Sequence, residues 1–366
     1  MAQVPFVTLA VPCFNEERHI EAFLADVFAQ DYPSSSIEVL IGDGMSTDRT
    51  REILARIAET NPKLRVIDNP KRLQAAAMNQ MIAAAKGDVI VRLDVHARYA
   101  KDFVSKCVEV LRETGAQNVG GPARPAAEAS WFQRALCAAL ESKLAVGNSS
   151  YRDLGAEGWV ESVFPGAFPR GVFDVVGGFD PNAITNEDAE LNQRIHAAGG
   201  RVYLSQKIVV HYYPRDSYKG LAKQYFKYGQ GRARTMLKHG GLPSIRPMLP
   251  FFLVVGGTTL AVTSPFHPLL LPALGLYAAG SAVEAVRVAK KTGQLHLAPV
   301  VATIFPVIHV SHGLGFGAGL LKYLLSPDWQ KDDAAAPAKT FADAREVRAV
   351  MRQALATPGA PEPAMA

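Results

Sequence analysis

Between Lys86 and Arg98 the chain reads KGDVIVRLDVHAR, and this stretch restricts the possible folds more than any other. Gly87 closes a helix, and Asp88 to Leu93 form a short β-branched run of the kind that makes a buried strand. Asp94, Val95 and His96 then fall where that strand leaves its sheet. In an open α/β sheet, ligands collect beyond the carboxyl ends of strands. An Asp and a His one residue apart are placed there to hold a divalent cation against a pyrophosphate. The plainer alternative is that Asp94 caps a turn and His96 is solvated.

The same order of strand, polar turn and helix recurs upstream. Phe6 to Val11 is a first buried strand, and Pro12, Cys13, Phe14, Asn15, Glu16 and Glu17 lead into a helix beginning near Arg18. Asn15 is its natural N-cap; the sharper alternative puts the Pro12 to Glu16 turn under a nucleotide. Ile37 to Ile41 is a second strand, followed by a tight turn from Gly42 to Asp48. An unpaired Asp43 at that strand end can accept from the N–H of a uracil, or it simply makes an Asp-Gly turn. Leu64 to Ile67 is a third strand, and the loop Asp68 to Arg72 precedes an alanine-rich helix, Leu73 to Lys86. Lys71 or Arg72 is suited to neutralising phosphate, although loop cations need no function. The repetition predicts an α/β domain with a parallel, doubly wound sheet.

Further on, the pattern predicts a helix over Arg98 to Thr114, a strand over Asn118 to Gly121 and a helix over Ser130 to Val146. Gly147 to Gly158 is a polar, mobile loop, and Val160 to Phe168 with Gly177 to Asp180 form a wall on the acceptor side. Asn186, Glu187 and Asp188 precede a helix from Ala189 to Ala198. Carboxylates at a helix start are favourable on dipole grounds alone, by about 0.3 to 1 kcal/mol each. Strands over Arg201 to Leu204 and Ile208 to Tyr212 close the domain, and Ser217 to Lys238 is a basic, aromatic-rich helix suited to a membrane interface.

Apolar residues concentrate after Met248, in stretches ending at Ser264, Val283 (from Phe266) and Leu325 (from Leu297). About 20 apolar residues span a bilayer, so the first two are short and the third is long. Basic residues precede the first (Arg232, Arg234, Lys238, Arg246) and follow the second (Arg287, Lys290, Lys291). By the positive-inside rule both loops lie in the cytoplasm and the first two stretches form a hairpin; the third crosses once, or else folds back at Gly313 to Gly319. The organisation expected is a catalytic domain over residues 1–240, a membrane region over 248–325, and a disordered tail over 327–366 with a short helix at Ala342 to Ala354. A net charge of +5 suits an anionic partner, but no base-stacking or groove-reading motif accompanies it, so a membrane surface fits better than nucleic acid. Three scattered cysteines, Cys13, Cys107 and Cys137, fit a reducing compartment, and the N-terminus has no signal-peptide pattern.

Taken together, the Asn15-Glu16 turn, DGMSTDRT from Asp43 to Thr50, Asp94 with His96, and NEDAEL from Asn186 to Leu191 resemble the family 2 inverting glycosyltransferases over about Phe6 to Gly240. Within them, the bacterial exopolysaccharide transferases carry similar patterns. The resemblance implies a GT-A fold in which Pro12, Phe14, Asn15, Glu16, Asp43, Lys71, Arg72 and Asp94 bind a nucleotide sugar. It further implies that Asp94 and His96 hold Mg²⁺ or Mn²⁺, that Asp188 is the catalytic base, and that Glu187, Gln224 and Arg232 stand on the acceptor or donor side. The chain departs from the family at His96, where Asp is usual, and at Met78, where Arg is common. Gln224 to Tyr228 (QYFKY) replaces the Gln-x-x-Arg-Trp of processive synthases, which favours single addition. The expected enzyme moves one hexose, glucose from UDP-glucose, onto a lipid-linked saccharide at the cytoplasmic face of a bacterial-type inner membrane, as a multi-pass protein. Polyprenyl phosphate or diacylglycerol is the alternative acceptor, and a non-catalytic sugar-nucleotide-binding membrane protein is the alternative class.

Overall fold

A computed structural model describes residues 4–127, 130–147, 150–241, 245–266, 268–329 and 340–342. Its strands are β1 (Val7–Cys13), β2 (Ile37–Asp43), β3 (Leu64–Asp68), β4 (Val89–Arg92), β5 (Ala97–Tyr99), β6 (Asn118–Gly121), β7 (Ala123–Pro125), β8 (Gly158–Val160), β9 (Phe164–Pro169), β10 (Val202–Leu204) and β11 (Val210–Tyr212). The helices are α1 (Ile20–Phe28), α2 (Thr50–Thr60), α3 (Gln74–Ala84), α4 (Phe103–Thr114), α5 (Trp131–Leu140), α6 (Lys143–Val146), α7 (Val172–Val176), α8 (Glu187–Ala197), α9 (Tyr218–His239), α10 (Leu249–Thr263), α11 (Leu270–Lys291) and α12 (Ala298–Leu325).

β1 shows why the sheet is central. Val7, Leu9 and Val11 face a core shared with α1, α2 and α4, while Ala10 faces a second core shared with α3, α7 and α8. A strand buried on both faces is nearly continuously apolar, the mark of a sheet covered by helices on each side, and the one buried hydroxyl of β1, Thr8, is bonded to Glu38. The main sheet runs β3-β2-β1-β4-β9-β6-β10-β8, and a small second sheet runs β5-β11-β7. β3, β2, β1 and β4 are mutually parallel, as expected. The sheet is mixed and mostly parallel, with β9 antiparallel between β4 and β6. The chain order reverses at β1, which has β2 on one side and β4 on the other. A crevice opens there at the carboxyl ends of the strands.

Some local expectations fail for identifiable reasons. The helix predicted from Arg98 starts at Phe103, because Ala97–Tyr99 pairs with β11 as β5. The helix predicted over Ser130 to Val146 breaks at Ser142, whose hydroxyl caps α6 by accepting from Leu144 N–H and also bonds Glu284 of α11. The three cysteines are free thiols.

The apolar third docks on the catalytic domain through α12. A Cβ on Gly315 would lie 2.0 Å from Phe226 O, and one on Gly229 would lie 2.1 Å from His312 O, so α9 and α12 approach with backbone against backbone. Tyr218 OH meets Thr303 Oγ1 at 2.5 Å near one end of this contact. Arg234 Nε donates to Asp328 Oδ1 at 2.6 Å at the other. Both ends of α12 are thus fastened to the side of the catalytic domain. α10 and α11 leave Phe252, Leu253, Val262, Leu271, Leu276 and Val283 exposed. Two helical stretches, Arg246–Phe266 and Leu295–Leu325, are long and apolar enough to cross a membrane by length and composition.

Part of the expected disordered tail is packed. Trp329 lies under the Arg234 guanidinium at 5.4 Å, and Phe341 is buried against Gly200. The helix expected at Ala342 to Ala354 lies beyond Ala342, outside the described residues.

A buried ionic network joins α8 to α9. Arg234 Nη1 and Lys238 Nζ donate to Asp180 Oδ2 at 2.6 and 2.7 Å, while Lys238 and His239 reach Glu190 Oε1 at 3.1 and 3.0 Å. Burial alone would raise the Glu190 carboxyl, but His239, Arg194 and Lys238 outweigh it and hold the group far below the usual carboxylate range. A depressed carboxylate stabilises the fold above its unfolded pKa of about 4.3, and that contribution disappears as pH falls through the folded value. Removing one partner of a buried pair leaves the others unpaired, so Glu190→Gln should cost about 3 to 5 kcal/mol near neutral pH. Denaturant unfolding of the two proteins at neutral and acidic pH measures this. Equal stabilities at neutral pH would show that the network holds nothing together.

Candidate active site

The turn after β1 and the turn after β2 are stitched together. Asn15 N–H donates to Ser46 Oγ at 2.9 Å, Asn15 Oδ1 accepts from Thr47 N–H at 2.8 Å, and Glu16 N–H donates to Thr50 Oγ1 at 2.7 Å. Asn15 therefore fixes the facing turn. It does not cap α1, which begins after His19 without a side-chain cap. Asp43 also differs from expectation. It is fully buried, accepts from Ser46 Oγ at 2.5 Å and from Arg51 Nη1 at 2.7 Å, and does not line the cleft. It is a paired carboxylate that builds the turn. Arg51 was missed, eight residues downstream on α2, where a surface arginine looks ordinary in sequence.

The cleft beyond the strand ends has a volume of about 2000 Å³ and is lined at this end by Pro12, Phe14, Glu16, Gly42, Gly44 and Arg72. Phe14 is exposed there, with the Arg72 guanidinium 5.8 Å from its ring centroid. Of the two loop cations, Arg72 lines the cleft and Lys71 does not. Among the described residues, the non-glycine positions with left-handed φ are Asn15, Met45, Arg72 and Asn186, at 57, 58, 54 and 61°. All four lie in turns that border this cleft.

Arg92, at the end of β4, organises the floor. Its Nε donates to Asp94 Oδ1 at 3.2 Å and its Nη1 to Glu187 Oε1 at 3.0 Å. Gln74 Nε2 donates to the same Asp94 oxygen at 3.2 Å. Burial pushes the Glu187 carboxyl up, the Arg92 charge opposes it, and neighbouring Asp188 adds to the rise. Glu187 is thus a buried partner of Arg92. Asp188, next along the first turn of α8, lines the cleft and has Oδ1 2.7 Å from Ala189 N–H. Gln224 Nε2 donates to Tyr228 OH at 3.0 Å, and both Gln224 and Arg232 line the cleft.

His96 has Glu16 as its bonded partner, with Asp94 among the charges acting on it. Its Nε2 lies 3.0 Å from Glu16 Oε1, and the His19 ring stands edge-on at 5.1 Å. The hydrogen bond to Glu16 raises the His96 pKa, although burial works the other way. Ligand-capable atoms of Glu16, His19 and His96 all fall within 4.8 Å of one another, a grouping that does not include Asp94. One carboxylate and two imidazoles suit a divalent cation such as Mn²⁺. These residues would hold it, whereas one Asp94 oxygen is already occupied by Arg92 and Gln74. His19 has no sequence signal, because a histidine just before a helix reads as surface.

Comparisons with known proteins show the family and the fold. The sequence model of the family described as Glycosyl transferase family 2 matches residues 8–145. The succinoglycan biosynthesis protein ExoA of Rhizobium meliloti (strain 1021) is 36% identical over 320 residues, covering 86% of this chain and 95% of that protein. The chain belongs to glycosyl transferase family 2. It is also 28% identical, over 87% of its length and 98% of the other, to a Methanococcus voltae dolichyl N-acetyl-alpha-D-glucosaminyl phosphate 3-beta-D-2,3-diacetamido-2,3-dideoxy-beta-D-glucuronosyltransferase. Among solved structures, the mannosyltransferase PcManGT from Pyrobaculum calidifontis, in complex with GDP-Man and Mn²⁺, superposes with a TM-score of 0.58 at 23% identity. That likeness covers 83% of this chain and 88% of the mannosyltransferase, and it supports the GT-A fold. As a family 2 member, the chain is a glycosyltransferase.

If Glu16, His19 and His96 form the cation site, His19→Ala and His96→Ala should each weaken Mn²⁺ binding by about tenfold or more, as loss of one ligand does. Electron paramagnetic resonance of free Mn²⁺ in titrations of the full chain reads this without substrate. Parental affinity in both variants would remove the imidazoles from the site.

Proposed function

We propose that this glycosyltransferase moves one hexose, glucose from UDP-glucose, onto a lipid-linked saccharide with inversion, in exopolysaccharide assembly. The observation that carries the reading is the division of labour in the first turn of α8. Glu187 is committed to Arg92, while Asp188 lines a cleft shared with the donor turns and with Gln224 and Arg232. Inversion needs one carboxylate to take the acceptor hydroxyl's proton as the oxygen attacks the anomeric carbon from the face opposite the nucleotide diphosphate. Asp188 takes that role. Phe14 and Arg72 lie where the nucleotide binds, and Asp43 holds the turn beneath it. Glu16, His19 and His96 would hold a divalent cation, which would supply positive charge to offset that of the departing diphosphate. The exopolysaccharide setting draws on the name of the ExoA relative and on the agreement over nearly its whole length.

In this reading the catalytic domain sits on the cytoplasmic face of a membrane. The exposed apolar residues of α10 and α11 enter the lipid, since a contiguous apolar face of this kind marks a membrane or partner surface. Lys291, at the end of α11, pairs with Glu141 of the catalytic domain at 3.0 Å, which supports both basic loops lying on one side. α12 runs along α9, which carries Lys219, Lys223, Lys227, Arg232, Arg234 and Lys238 and is too charged to enter the bilayer core. This reading places α12 against the domain at the membrane surface; a single crossing by Leu297 to Leu325 is the other arrangement its length and composition allow.

Membranes carrying the chain, incubated with labelled UDP-glucose, UDP-galactose or GDP-mannose and then extracted for lipid, should retain label from UDP-glucose. Label from another donor alone would replace the proposed sugar. Asp188→Asn should cut transfer by about 10²- to 10⁴-fold while nucleotide binding persists, the usual effect of losing a positioned base. Undiminished transfer removes Asp188 from the mechanism. For the topology, Lys290→Cys should resist an impermeant thiol reagent added outside intact cells and react after lysis; labelling from outside overturns the placement.

A further inference from the structure

The segment between α6 and β8 carries a guanidinium that has no carboxylate partner among the described residues. The Arg152 Cζ lies 5.3 Å from the ring centroids of Tyr151 and Tyr212, and Tyr225 and Tyr228 complete the groups acting on its charge. These neighbours are phenols, with no carboxylate among them. Its Nη1 is sealed from solvent and has no hydrogen-bond partner among the described residues. Arg152 as a residue is partly buried, and the more deeply buried cations Arg92, Arg234 and Lys238 each meet a carboxylate. A partly buried cation without a counter-ion costs free energy to keep, and the cost falls when an anion enters from outside.

Its position indicates which anion. Arg152 lines the cleft where the catalytic domain meets the helical third, on a wall that includes Tyr277 of α11 and Ile308 of α12. A smaller cavity between α6 and α11 shares Lys143, Arg152 and Tyr277 with the cleft. The donor end is built from other parts, the turns after β1 and β2. Burial pushes the phenols of Tyr225 and Tyr228 well above their ordinary range, so both keep their protons and can donate to an anion's oxygens.

We infer that Arg152, boxed by Tyr151, Tyr212, Tyr225 and Tyr228, binds the phosphate or diphosphate that joins the acceptor's saccharide to its lipid. The inference rests on the lipid-linked acceptor proposed above and names the residue that would receive its head group. A planar guanidinium offers two parallel donors to phosphate oxygens, and the surrounding rings exclude water from the contact.

The test uses the full chain in detergent, with farnesyl diphosphate, farnesol and UDP as probes in binding titrations. Arg152→Gln should weaken farnesyl diphosphate binding by about 10- to 100-fold, as loss of a charge-assisted contact does, and leave UDP binding unchanged. Arg152→Lys keeps the charge without the fork and serves if the glutamine variant does not fold; it should lose about tenfold. Parental affinity for farnesyl diphosphate in whichever variant folds overturns the proposal. So does a parent that binds farnesol as well as the diphosphate. Loss of UDP binding with the lipid diphosphate still held assigns Arg152 to the donor and also overturns it. Arg152-dependent binding of farnesyl diphosphate in a chain that transfers no hexose upholds this site and removes the function proposed above. Hexose transfer with an unaltered acceptor KM in Arg152→Gln does the reverse.

Discussion

The geometry of the cleft depends on one buried guanidinium. Arg92 ends the central strand β4 and bonds Asp94 just beyond that strand and Glu187 on α8, so one charge ties the β4 turn to the start of α8. Arg92 is 6% exposed, and a cation at that depth is tolerable because two carboxylates surround it. The arrangement explains why the start of α8 carries consecutive acidic residues. Glu187 satisfies the arginine, which leaves Asp188 free to face the cleft. Without that anchor the first turn of α8 would have no fixed distance from the donor turns.

The strand ends were legible in the sequence because buried parallel strands are apolar on both faces and stop abruptly at polar turns. Cys13, Asp43, Asp68 and Arg92 all terminate strands close to where the pattern put them. Side-chain partners were not legible, because they arise from contacts between elements distant in sequence. Asp43 looked like a free carboxylate and is neutralised by Arg51; His96 looked like a partner of Asp94 and reaches back to Glu16 on another turn. The antiparallel insertion of β9 was likewise hidden, since Phe164–Pro169 is too short and mixed to reveal its direction. NEDAEL illustrates both outcomes. Its charge at a helix start is readable, but three of its carboxylates have three separate fates: a buried pair with Arg92, a cleft-facing group, and a hub for Arg194, Lys238 and His239.

The glycine contacts between α9 and α12 make the helical third part of the wall of the cleft. Because Gly229 and Gly315 bring backbone against backbone, α12 cannot shift along α9 without a clash, and the tyrosines of α9 are held in register with both bodies. Arg234, bonded to Asp180 within the domain and to Asp328 beyond α12, fixes the far end. The cleft is therefore rigid where the acceptor side adjoins the apolar helices.

The left-handed residues around the cleft are more pliable in a different sense. Asn15 and Asn186 tolerate that conformation at little cost, but Met45 and Arg72 each carry about 1 kcal/mol or more of backbone strain. Glycine at either position would relieve the strain and also remove a side chain from the donor turns. Directed evolution for heat resistance would find those substitutions readily, while a screen for turnover would discard the one at Arg72, which lines the cleft. Endurance and catalytic rate would pull Arg72 in opposite directions.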